Sequence, residues 1–262
     1  MAGFLVHLLR HRELDGVPLD SPARVMLHRA ILTRKRILRR VYDNIHHSFV
    51  PFLPLLPEGV RVELGSAWSH LHEVVPGLVR TDIAPVEGAR IRVDAQRLPF
   101  ADGSLAGIFM INSLHHIPDS ILALREAARV LRPGGILMLA EPHVTRWSLR
   151  VWGISKHEHY NLDSQWTFRT SGPLSGSDMA IPWKIFTRDL GRFHREFPGL
   201  EILHRGTHTC FTFLLSGGFS MKSLVPSWCY APLQAIDKGL SWMTGGASDQ
   251  FETIIVRKIG SP

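Results

Sequence analysis

A chain of 262 residues, 45% hydrophobic and 20% charged, can bury a sizeable core without disulfides or metals. Its two cysteines, Cys210 and Cys229, stand far apart with no metal-ligand spacing, which predicts free thiols and a cytoplasmic protein. The opening MAGFLVHLLRHRELDG is too short to span a bilayer and lacks a small-residue cleavage site, and no other stretch reaches transmembrane length.

The net charge of +7 is unevenly placed, because residues 1–50 hold nine Lys/Arg against four acids. In that region LHRAILTRKRILRRVYDNI carries Leu27, Ala30, Ile31, Ile37, Leu38, Val41 and Ile45 at roughly helical spacing, so an amphipathic basic helix is expected over 24–45. Its ordinary role is packing with a solvated basic face. A second role is contact with an anionic partner such as a membrane surface; no nucleic-acid motif accompanies it. FVPFLPLLPEG (49–59) then marks a boundary.

Beyond it, strand-like and helix-like segments alternate. Strands are expected at 60–65, 78–83, 91–95 and 107–112, the last a continuous apolar run suited to a central parallel strand. Asp119 caps a helix, SILALREAARVLR, which PGG ends before the strand ILMLAEP. Residues 143–182 are rich in His, Trp, Ser and Gly with weak periodicity. FPGLEILHRG and QFETIIVRKI return to strand character, and LLSGG leads into an aromatic-rich helix between them. This order predicts an α/β fold with a doubly wound, mostly parallel sheet.

Ligands of such sheets bind outside the carboxyl ends of the strands at the switch point. The first loop, RVELGSAWS, keeps one glycine, Gly65, where two or three are usual, and has Ala67, Trp68 and Ser69 beyond it. Glu63, Asp82 and Asp94 each stand at the end of a successive strand, and Asn112 and SLHHI close the fourth. A carboxylate 17 residues after Gly65 can accept from both hydroxyls of a ribose. Nucleotide geometry alone leaves nicotinamide and S-adenosylmethionine as rivals.

The segments VELGSAWS, TDIAP, VDAQRLPFADGSLAGIFMINSLHHIPD and LREAARVLRPGGILMLAEP together resemble class I S-adenosylmethionine-dependent methyltransferases of the ubiquinone/menaquinone-methyltransferase-like type. The tail (SGPLSG at 171–176, LLSGG at 214–218) looks like a bacterial subgroup of these enzymes. The resemblance implies a Rossmann-like seven-stranded sheet with the last strand antiparallel. It implies a basic helical N-terminal arm over 1–58 and a methyltransferase domain over 59–262, with cap insertions at about 143–182 and 207–245. It also implies S-adenosyl-L-methionine as cofactor. Glu63, Gly65, Ala67 and Asn112 would lie by its methionine part, Asp82 with Ile83 by the ribose, and Asp94 with Ala95 by the adenine. His115 would stand near the transferring methyl as base. Small replacements at 67 and 69 imply a strained but working loop.

Methyl transfer needs proximity, plus a base where the acceptor carries a proton. His143, His157, His159 and Trp166 fall where a substrate wall is expected. His157-Glu158-His159 lacks the HExxH zinc pattern, and no metal is expected. Packing at a helix entry is an equally simple role for His115 and His116. The expected activity is methylation of a small-molecule or lipid/sugar-linked acceptor; a catalytically inactive pseudo-methyltransferase acting as a binding protein is the alternative. Oligomeric state is left open.

Overall fold

A computed structural model describes residues 9–152, 159–170 and 172–260. Its centre is a seven-stranded sheet in the order β3-β2-β1-β4-β5-β7-β6. The strands are β1 (Val60–Leu64), β2 (Leu78–Asp82), β3 (Ile91–Arg92), β4 (Leu105–Ile111), β5 (Leu131–Pro142), β6 (Leu200–His208) and β7 (Phe251–Lys258). β1 to β5 pair in parallel, and β7 runs antiparallel to both β5 and β6. The expected Rossmann-like sheet with an antiparallel last strand is therefore present.

Side-chain alternation splits the core between the two faces. Ile108 and Met110 of β4, with Leu137 and Leu139 of β5, face one cluster. It is covered by α3 (Ser120–Val130), α5 (Ile181–Trp183) with its π-helical continuation Lys184–Arg188, and α6 (Leu190–Glu196). Phe109, Ile111, Ile136 and Met138 face the other, under α1 (Pro22–Arg34) and α2 (Arg36–His47). β4 is buried along its whole length, as its uninterrupted apolar run requires. Asp119 caps α3 as expected, its side chain accepting from the Ile121 and Leu122 amides.

The basic segment is two helices instead of one. The break falls at Lys35 (φ −90°, ψ 80°), whose ammonium is buried and donates to the carbonyls of Gly218 and, at 2.7 Å, Met221. Bonding an ammonium to two carbonyls under cover outweighs helix continuation, and burial pulls its pKa down to about 8. The apolar side chains Ile31, Leu32, Ile37, Leu38, Val41 and Ile45 are all in the core. Several cations on the outer side are paired: Arg29 with Glu87, Arg34 with Glu13, and Arg39 with Glu73.

The remaining helices are α4 (Arg146–Trp152), α7 (Phe211–Ser216) and α8 (Tyr230–Thr244). Among the described residues no helix is long and apolar enough to cross a membrane.

Candidate functional site

The strand order reverses at β1, which has β2 on one side and β4 on the other, so the crevice to inspect lies past Leu64 and Ile111. Gly65 takes φ 75°, and a Cβ there would stand 2.4 Å from the Ser113 hydroxyl. This glycine is required by the neighbouring loop and by its own backbone. Ala67 sits at φ 20°, an unusual value for a residue with a side chain. Its amide donates to Asp82 Oδ2 at 2.8 Å, while the Ala84 amide donates to Oδ1 at 2.8 Å. Asp82, only 6% exposed, thus ties the atypical loop to the end of β2 with one lone pair of each oxygen. Burial raises its pKa, and the amides partly oppose that.

Three buried polar groups around this turn are short of partners. Both carboxylate oxygens of Glu63, the Ser66 hydroxyl and the Asn112 side-chain carbonyl make no hydrogen bond of good geometry. Burial pushes the Glu63 carboxyl up to about 7, with Ser69 and Arg80 pulling the other way. Buried polar groups are nearly always satisfied, so this grouping points to a ligand with donors. Asn112 itself has φ 49°; its amide nitrogen donates to Tyr42 Oη of α2 at 3.3 Å. Tyr42 carried no signal in the sequence beyond an apolar helix position.

His115, three residues on and 2% exposed, has Nδ1 2.6 Å from Glu141 Oε2. The other oxygen of Glu141 accepts the Ser113 and Leu114 amides at 2.9 and 2.8 Å. One fully buried carboxylate at the end of β5 therefore fixes both the turn after β4 and the imidazole. Sequence reasoning passed over Glu141, although an acid closes the expected strand ILMLAEP. His116 bonds the Gly176 carbonyl through Nδ1 at 3.0 Å, and burial lowers its pKa to about 3.

The other expected residues are placed as follows. Asp94 is half-buried, with Oδ1 accepting the Gln96 amide at 2.8 Å; Ala95 is half-buried and Ile83 exposed. His143 Nδ1 lies 3.5 Å from Glu252 Oε2 at the rim. His159 is exposed, its carbonyl taking the Met179 amide at 3.0 Å. His157 lies outside the described residues. Trp166 is corrected: it is fully buried and donates through Nε1 to Asp189 at 2.8 Å, so it is a packing residue and not a substrate wall. Its size and the nearby partner favour the core over the crevice.

Trp68 answers for the missing glycines. It packs against Phe219 (4.8 Å between centroids) and edge-on to His28 (5.1 Å), and Phe219 contacts Tyr42 at 5.6 Å. The loop that usually stays open here is the seat for α1 and α2. A groove of about 480 Å³ lies elsewhere, between α2, the end of β6 and α8. The strand-end crevice remains the candidate site, because Glu63, Ser66 and Asn112 and the His115–Glu141 pair lie at these strand ends and not in that groove. Among the described residues no cluster of three or more His, Cys, Asp or Glu could hold a metal ion.

Comparison with known proteins adds an independent finding. Residues 73–139 match the family model described as a methyltransferase domain, a stretch that begins just after the atypical loop. The chain is similar to 27-O-demethylrifamycin SV methyltransferase of Amycolatopsis mediterranei, 50% identical over 48 residues, 18% of each chain. It is also similar to demethylmenaquinone methyltransferase of Beutenbergia cavernae, 41% identical over 69 residues, 26% of this chain and 27% of that one. The matches thus span about a quarter or less of these relatives. Among solved structures, phosphoethanolamine N-methyltransferase 2 of Haemonchus contortus, in complex with S-adenosyl-L-methionine, aligns at 11% identity. That alignment covers 95% of this chain and 59% of that one, with a TM-score of 0.47.

Proposed function

We propose that this chain, a class I S-adenosylmethionine-dependent methyltransferase by its sheet and by its residues 73–139, methylates a hydroxyl on a small-molecule or lipid- or sugar-linked acceptor in the cytoplasm. The observation that carries the reading is the His115–Glu141 pair at the carboxyl ends of β4 and β5. The name of one relative, 27-O-demethylrifamycin SV methyltransferase, supports an acceptor with a hydroxyl.

The crevice fits the cofactor by its chemistry. Glu63 and the Asn112 carbonyl offer unpartnered acceptors for an ammonium, Asp82 keeps lone pairs for a ribose diol, and half-buried Asp94 suits an amino group. When bound, S-adenosylmethionine supplies an electrophilic methyl on a sulfonium. Glu141 beside Nδ1 favours the tautomer protonated there and fixes the ring, which suits His115 to the role of a base. Such a base takes the proton of an acceptor hydroxyl as the oxygen attacks. We assign the cap role to the described parts of 143–182 and 207–245 and the described part of the arm 1–58, with His143 and His159 on the acceptor side. The basic outer side of 24–45 can add attraction to anionic surfaces.

The altered loop does not argue for an inactive protein, since Asp82 holds it through the Ala67 amide and keeps its place at the end of β2 through the Ala84 amide. Calorimetry with S-adenosylhomocysteine tests the reading. Binding in the wild type that is weakened in Glu63→Gln and Asp82→Ala is expected; absence of binding to the folded wild type overturns it.

A further inference from the structure

Helix α8 is amphipathic the wrong way round. Its polar side chains point into the protein. Tyr230 Oη donates to the Arg40 carbonyl at 2.9 Å and Gln234 to Asn44 Oδ1 at 2.8 Å. Asp237 accepts the Phe211 and Thr212 amides at 2.8 and 3.1 Å, and Ser241 donates to Asp249 at 2.6 Å. The apolar side chains point out. Trp228 is 76% exposed, Trp242 86% and Met243 73%, with Ile236 exposed between them. At 100° per residue Ile236, Trp242 and Met243 lie on the side of α8 opposite its buried polar groups, with Trp228 in the turn before it, along a helix of about 22 Å. Surface helices of globular proteins bury their apolar stripe, so this one is laid out for something outside the fold.

The charge around the stripe selects the occupant. Asp237 is the only acid between residues 221 and 248, and it is buried under its two amides. The exposed cations by the helix are Lys238 and, on α2, Arg36 and Arg40, the Arg40 guanidinium lying 5.0 Å over the Tyr230 ring; Lys222 is exposed in the turn that leads to it. Tryptophans at both ends of an apolar stripe, with cations in excess beside it and one acid, Asp43, held by His70 at its base, are the chemistry of a helix lying in a lipid interface. A second copy of the chain fits worse, because a self-complementary contact would bring Lys238 and Arg40 toward their own counterparts.

We infer that α8 and the turn before it dock the protein on an anionic lipid surface, with Trp228, Ile236, Trp242 and Met243 inserted and Lys222, Lys238, Arg36 and Arg40 on the headgroups. This surface is separate from the strand-end crevice and stands whatever the acceptor proves to be. Co-sedimentation of the full chain with vesicles of phosphatidylglycerol and phosphatidylcholine in equal parts, and of phosphatidylcholine alone, tests it.

Retention by the anionic vesicles at low salt and release at high salt are expected. The double variant Trp228→Ser/Trp242→Ser, whose side chains are exposed and whose fold is checked by circular dichroism, should partition at least about tenfold less. Lys238→Glu should weaken retention more than Arg125→Glu, an equal charge change at an exposed position on α3. Equal retention by neutral vesicles, no retention by either, or equal effects of the two charge reversals overturns the inference. A dimer seen by light scattering that the double variant abolishes, without vesicle retention, assigns the stripe to a second copy and overturns it too.

Discussion

Replacing Glu141 by glutamine is the sharpest probe of the site. The side chain keeps its shape, and one amide oxygen can still accept the Ser113 and Leu114 amides that Oε1 holds at 2.9 and 2.8 Å. What changes is the atom facing His115 Nδ1 across 2.6 Å, which becomes an NH₂ donor. The imidazole must then accept at Nδ1, so its proton moves to Nε2 and the lone pair turns away from the acceptor side. A correctly placed base is worth about 10²–10⁴ in rate, and that is the expected loss. Stability should change far less: a charge-assisted bond of about 1.5–3 kcal/mol is lost, but a neutral pair replaces it and a buried charge is removed. Two assays separate these effects. Long-range imidazole nitrogen NMR should show the His115 proton on Nδ1 in the wild type and on Nε2 in Glu141→Gln. Transfer to a hydroxyl surrogate should fall while S-adenosylhomocysteine affinity holds. A variant with the flipped tautomer and full turnover would refute the role given to His115.

Four further outcomes follow from the loop and the acids around it. Because Glu63 is held near 7 when its unfolded value is 4.5, the folded state keeps its proton longer than the unfolded one. Stability should therefore fall as pH rises from 4.5 to about 7, by an amount on the order of 3 kcal/mol, and Glu63→Gln should flatten that part of a chemical-denaturation profile. A cofactor ammonium prefers the ionised carboxylate, so S-adenosylhomocysteine should bind more tightly as pH passes 7, and calorimetry on Glu63→Gln should show no such slope. Asp82→Ala leaves the Ala67 and Ala84 amides without acceptors, which should lower the unfolding free energy by about 1–3 kcal/mol for each amide that stays buried, and weaken the ligand as well. Ala67→Gly relieves the φ of 20° and should leave affinity equal or tighter; a marked loss would show that the loop is tuned to its methyl group.

Much of this molecule is written in local pattern. The unbroken apolar run of β4, the Asp119 cap and the acids closing β1 and β2 each follow from periodicity or side-chain chemistry within a few residues, and they suffice for the sheet and the crevice. Other features depend on partners far away in the chain. Lys35 breaks the basic helix because carbonyls nearly two hundred residues later cover it, and Trp68 fills the glycine loop because His28 and Phe219 arrive there. Trp166 left the expected wall for the core, drawn by Asp189, while Glu141 became the anchor of His115 once β5 lay beside β4. Helix α8 shows the same division: its spacing of apolar residues is in the sequence, but only packing against α2 and β6 decides that its polar face is the buried one. Strand and helix identity are set by neighbours in sequence; which face is covered, and which polar group is left without a partner, is set by what the fold brings against it.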